Sequence, residues 1–218
     1  MSVAVFAAVL PARESTATLL LLLLVGDVIA VWHYRRDCDV AMIRRLVPAV
    51  IPGLLLGAVV LARTDDAFLR RLIGVILLLL LGLQLVQSAS QRRAAGSISE
   101  WGRPATAGVG VVAGFTTMVA NAGGPVMTLY LLSQRVEKMR FLGTIAWFFF
   151  CVNLCKLPFS AGLGLINRSS LLTAGVLAPL VVVGAGVGVV AARHLQQRTF
   201  ERVVLAASLL SALPLLLG

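Results

Sequence analysis

The chain has 218 residues, 59% of them hydrophobic and only 13% charged, with a formal net charge of +10. Soluble globular chains carry about 25% charged residues, so this composition excludes a water-soluble fold and points to a membrane protein with room for roughly six to eight spans. The positive charge comes from 17 Arg and 2 Lys against 9 acids. It sits mostly in short loops between apolar runs, the pattern of positive-inside anchoring and attraction to anionic lipid rather than of a nucleic-acid-binding domain.

In chain order, Met1 to Leu10 is apolar but too short to cross, and it lacks the basic n-region of a cleavable signal. Ser15 to Trp32 is an apolar run that contains one acid, Asp27, and is followed by runs at Leu46 to Ala62 and Leu72 to Ser88. The polar stretch Gln87 to Arg103 splits the chain near its midpoint. Ala105 to Leu132 is 28 residues without a charge, Phe141 to Ser160 contains Lys156, Ser169 to Ala192 is uncharged, and Val203 to Gly218 ends the sequence. The predicted fold is an all-α polytopic membrane protein of about seven membrane segments, with a broken or re-entrant helix at 105–132. Cys38, Cys151 and Cys155 are odd in number and two share one apolar run, so they read as packing residues rather than a disulfide framework.

The two sides of the polar stretch resemble each other. Asp27 is followed 25 residues later by Pro52 and then by Gly57, while Asn153 is followed 26 residues later by Pro179 and then by Gly184. Ala67-Phe68-Leu69-Arg70 and Thr199-Phe200-Glu201-Arg202 each open a final apolar run. These matches predict a duplicated unit, with a first repeat at 1–90, a polar linker at 91–104 and a second repeat at 105–218. Internal repeats recur in transporters, which bind solute at the repeat interface near the midplane. Val5 to Pro11 matches the stretch after Pro125, so the first-half partner of the broken segment is expected upstream of Met1.

Loop charge bears on topology. If 105–132 enters and returns to one side, thirteen basic residues fall on that side, in the loops around 35–45, 92–103, 135–140 and 193–202, against five on the other. If it crosses once, the division is eight against ten. The positive-inside rule favours the first arrangement, which also inverts the two halves relative to each other.

The chemistry concentrates at the break. Asn121, Gly123, Gly124 and Pro125 interrupt an apolar run, and in lipid such a break is tolerated only where it is buried in protein or lines a cavity. Gly123 and Gly124 are expected to take positive φ and let a ligand approach the backbone. Pro125 suits the first turn of a new helix, whose free amides would attract an anion. Asn121 adds a neutral donor, and Thr116 and Thr117, about a turn earlier, would line the same cavity. The competing reading is a Gly/Pro kink used for close helix packing. Lys156 is a cation within an otherwise uncharged run, where it would neutralise an oxyanion or instead snorkel toward the nearby interface. Asn153, three residues earlier on the same face, would extend the polar surface or bond a neighbouring helix. Asp27, its first-half counterpart, would carry a coupling proton or pair with a loop arginine such as Arg35. His33 lies between Trp32 and Tyr34 and reads as part of an interfacial belt. Trp147, Phe148, Phe149 and Phe150 read as lipid-facing or packing residues.

The stretch A-G-F-T-T-M-V-A-N-A-G-G-P-V-M-T-L-Y-L-L, together with Phe141-Leu142-Gly143-Thr144 and Val152-Asn153-Leu154-Cys155-Lys156-Leu157-Pro158, resembles the sulfite exporter TauE/SafE family of membrane transporters. The similarity is strong across Gly108 to Ser160 and weaker but continuous elsewhere. Family members usually begin with a Gly-rich broken helix of their own, which this sequence lacks. The resemblance implies a multi-helix permease in the cytoplasmic membrane that exports or imports small sulfur-containing anions, with substrate varying within the family. No G-x-x-x-x-G-K-[ST] pattern is present, so a secondary mechanism is expected. No cofactor or metal is expected. The expected partners are the anion and the bilayer, with no nucleic acid, and a homodimer is compatible. Two other classes compete. An intramembrane peptidase is disfavoured, since the two histidines lie far apart and Ser133 has no evident base. A truncated or non-transporting membrane subunit of the same family is the alternative.

Overall fold

The computed structural model describes residues 12–65, 103–134 and 136–194, together with Thr199 and parts of 67–82. The runs Met1 to Leu10 and Val203 to Gly218, part of Leu72 to Ser88, and all of 91–102 in the linker lie outside the described residues.

Four long helices follow the apolar runs: α1 (Ala12–Tyr34), α2 (Val40–Arg63), α5 (Lys138–Gly162) and α6 (Arg168–His194). The segment between the two pairs is broken into α3 (Arg103–Ala120) and α4 (Gly123–Ser133). Residues 67–69, 71–76 and 78–79 are also helical. At 23 to 27 residues the long helices measure ~35–40 Å, more than the ~30 Å hydrocarbon core. Each of the four contains a stretch long and apolar enough to cross a membrane: Thr16–Tyr34, Val40–Arg63, Lys138–Gly162 and Arg168–Ala191. The helices overrun the uncharged stretches by several residues, because charged residues form their ends. For the same reason α3 starts at Arg103, inside the stretch read as linker.

Local chemistry sets the ends. Asp39 caps α2, its carboxylate accepting from the Met42 amide at 3.0 Å, and its own amide donates to Thr144 Oγ1 on α5 at 2.9 Å. The Asn167 side chain accepts from the Ser170 amide at 2.7 Å while Ser170 Oγ accepts from the Asn167 amide at 2.9 Å, a reciprocal cap at the start of α6. At the end of α5, Gly164 takes φ +66°; its amide bonds Ala161 O at 2.9 Å and the Leu165 amide bonds Ser160 O at 3.0 Å. That pair of bonds is a Schellman cap, and the left-handed residue in it is a glycine because a Cβ there is strained.

Packing divides the helices into two groups joined at α5. α1 lies against α5 and α6, α2 lies along α3, and α5 also touches α2 and α4. The core between α2, α3, α4 and α5 contains Leu46, Val50, Leu54, Met118, Met127, Leu131 and Phe148. The α2–α3 seam is made of small residues. A Cβ on Gly53 would overlap Val111 O and lie 2.8 Å from Phe115 N, and one on Gly114 would overlap Val50 O. Without a hydrophobic drive between helices in lipid, such close backbone contact is what holds a pair together. α6 instead turns Val176 and Leu180 outward, 76% and 69% exposed.

Candidate functional site

Helix α3 ends in a left-handed cap. Asn121 has φ 48°, and its amide donates to Thr117 O at 3.0 Å. The positive φ expected at Gly123 and Gly124 therefore falls on Asn121; among the described glycines only Gly164 has one. Asparagine tolerates this conformation better than most residues because its short side chain bonds locally. Here the bonds reach other helices: Asn121 Nδ2 donates to Thr16 O on α1 at 3.1 Å, and Asn121 Oδ1 accepts from Lys156 Nζ on α5.

Lys156 does not snorkel. It is fully buried, and Nζ also donates to Thr117 O at 2.7 Å. The ammonium thus sits at the carbonyl end of α3, the negative pole of that helix, and uses two of its three donors there. Thr117 meets Lys156 through its backbone carbonyl. Thr116 Oγ1 turns back to Val112 O at 2.8 Å.

Helix α4 does not continue the axis of α3. Its first residue returns to within contact of the last two turns, where a Cβ on Gly123 would lie 3.0 Å from Thr117 Cβ, 3.3 Å from Ala113 O and 3.3 Å from Phe149 Cε1. Gly123, Gly124 and Pro125 form its first turn, so Pro125 loses little by lacking a donor. Ala122, before that turn, supplies no side-chain cap. Open space surrounds the Cβ position of Gly124. The break therefore has two unlike ends: a carbonyl end taken by Lys156, and an amide end with a glycine facing space.

A second polar contact lies on the same helix as Lys156. Asn153 is 1% exposed and donates through Nδ2 to Asp27 Oδ2 on α1 at 2.7 Å. Asn153 Oδ1 is buried without a hydrogen-bond partner among the described residues. Asp27 thus pairs with Asn153 and not with Arg35, whose guanidinium stands 4.9 Å from the Trp32 ring centroid. His33 makes an edge contact with its chain neighbour Tyr34.

Two contributors escaped the sequence. Thr16 acts through its carbonyl, which carries no residue signature. Phe149 belongs to an aromatic run that reads as packing, yet its edge abuts the Gly123 turn.

The sequence model described as sulfite exporter TauE/SafE matches residues 1–215. The chain belongs to that family. Membership in the TauE/SafE family makes it a membrane transport protein, in agreement with the four helices able to cross a bilayer. No curated protein and no solved structure gives a match. Within this TauE/SafE protein, Asn121→Ala is expected to cost about 1–2 kcal/mol for an alanine at positive φ and about 1 kcal/mol for each lost hydrogen bond. Asn121→Gly should recover the backbone part alone. Thermal unfolding in detergent checks the order wild type, Gly, Ala.

Proposed function

We propose that the chain is a secondary permease that moves a small anion, a sulfur oxyanion or an organosulfonate, across the cytoplasmic membrane as a multi-pass protein. The observation that carries this reading is the buried Lys156 ammonium beside a helix break whose following amides have no side-chain cap. A helix N-terminus favours negative charge, and an ionisable residue at membrane depth is costly, which makes it a functional candidate. Gly123, Gly124 and Pro125 would present the amides, and Asn121 and Thr117 would hold the ammonium in place. Lys156 would offer its remaining donor to the anion. Asn153 would extend the polar surface, and Asp27 is the coupling candidate.

The chain would comprise two inverted repeats of about seven segments in all, and the helix contacts support the pairing of the halves. Asp27 and Asn153, matched between the halves by sequence, are 126 residues apart and bond each other. Shifting α1 by that interval lays it on 138–160, within α5. The contacts α1–α6 and α2–α5 exchange under the same operation, as a two-fold axis between α1 and α5 requires. A segment that enters and leaves on one side would fit the excess of basic loops on that side. Transport would then proceed by alternating access around the break.

Purified protein in proteoliposomes should take up at least one of sulfite, thiosulfate, sulfate and a simple organosulfonate. Asn121→Ala should lower that uptake by about tenfold, the equivalent of ~1.4 kcal/mol. Absence of uptake for the whole panel, with inserted and monodisperse protein, would refute the permease reading.

A further inference from the structure

The contact between Asp27 and Asn153 is one-sided. The amide donates through Nδ2 at 2.7 Å, while its oxygen is buried with nothing to accept from among the described residues. A buried acceptor without a donor is costly, and a terminal amide can exchange its two ends by a half-turn. The exchange is blocked while Asp27 is ionised, since it would set oxygen against oxygen. A protonated Asp27 removes the block: its O–H donates to Asn153 Oδ1, satisfying the orphan, and the amide NH2 turns away.

Charge balance says when the proton should arrive. Lys156 follows Asn153 by three residues on α5 and is the cation within 141–160. Within 141–160, α5 otherwise contributes the thiols Cys151 and Cys155, its further cations Lys138 and Arg140 standing in its first turn, while 169–192 on α6 and 105–132 on α3 and α4 hold no charged residue. With Asp27 ionised and Lys156 protonated, the two charges cancel. An anion at the break adds one negative charge in a medium that penalises it, and one proton on Asp27 restores neutrality.

We propose that Asp27 and Asn153 form a proton switch, in which anion entry beside Lys156 is matched by uptake of one proton on the Asp27 carboxylate and a half-turn of the Asn153 amide. The proton comes from solvent and leaves with the anion, so the cycle conserves both. This rests on the permease reading and names its coupling ion.

The test uses methanesulfonate and thiosulfate, both fully ionised near neutral pH, in proteoliposomes with a trapped pH dye. For methanesulfonate the wild type should move one proton per anion, and a gradient of about one pH unit should support roughly tenfold accumulation. Counterflow without any proton movement overturns the switch but leaves the permease standing. No counterflow of either anion overturns both. Asp27→Asn should retain measurable counterflow yet lose gradient-driven accumulation; accumulation equal to wild type overturns the switch. The stoichiometry needs only wild-type protein, so a misfolded variant leaves the proposal decidable. Infrared difference spectra should show a protonated-carboxyl band on adding methanesulfonate, absent in Asp27→Asn. In Asn153→Ala that band should persist and rise in frequency, its O–H having lost an acceptor; an unmoved band removes the amide from the switch.

Discussion

Lys156→Met should reduce anion flux to the vesicle background while the protein still inserts and folds. Methionine keeps the length and apolar character of the side chain, so no large void opens. The ammonium's bonds to Thr117 O and Asn121 Oδ1 disappear, and hydrogen bonds to a charged group are worth about 1.5–3 kcal/mol each. Against that loss, a buried charge with a desolvation cost of several kcal/mol is removed. Thr117 O still receives the Asn121 amide, and Asn121 Nδ2 still reaches Thr16 O. The net change in stability should therefore be small. Transport should not be spared, because nothing else charged on 105–132 or 141–160 can balance an anion at the break. Losing about 3 kcal/mol of anion stabilisation is already more than a hundredfold in rate. Lys156→Arg should recover little, since a planar fork cannot replace a compact ammonium between a carbonyl and an amide oxygen. Flux assays paired with melting curves decide it: normal flux in Lys156→Met would reduce the lysine to a cap on α3.

The second large effect is expected far from any charge. Gly53→Ala should destabilise the protein by about 3 kcal/mol or more, at or above the upper end of the overpacking range. The new methyl would overlap Val111 O and press on Phe115 N, both in the backbone of α3, and a helix backbone cannot move aside as a side chain can. Gly114→Ala meets Val50 O and, at 3.1 Å, Leu54 N from the opposite direction, with the same consequence. Because α3 carries Thr117 and Asn121 at its end, pushing the helices apart should also lower flux. Gly184→Ala and Gly108→Ala are the controls. Neither position has a neighbour within 4 Å, so each should be neutral or gain up to about 1 kcal/mol of helix propensity. Equal melting temperatures for Gly53→Ala and Gly184→Ala would show that the seam does not hold the pair together.

Much of the helical framework is legible in the chain. The apolar runs at 15–32, 46–62, 141–160 and 169–192 each became one helix, and the interruption after Ala120 became a break, with Pro125 in the first turn of the helix that follows. The spacing of Asn153 and Lys156 put both on the buried face of α5. The glycines were less informative. Gly123 is there for close packing against Thr117 and Phe149, whereas the left-handed residue is Asn121, whose neighbours on α1 and α5 hold it in that conformation. Burial removed snorkelling for Lys156, and Asp27 took Asn153, 126 residues away on another helix, as its partner in place of Arg35.

The amino-acid order alone dictates that this is a membrane protein of apolar helices with one segment broken in the middle, because hydrocarbon admits only backbones that satisfy themselves and length then sets the spans. The three-dimensional arrangement alone decides how the break is satisfied: a lysine from α5 on the carbonyl end of α3, and an asparagine reaching the carbonyl of Thr16. Those partners include backbone oxygens, which every residue has and no sequence pattern distinguishes, so only the crossing of the helices selects them.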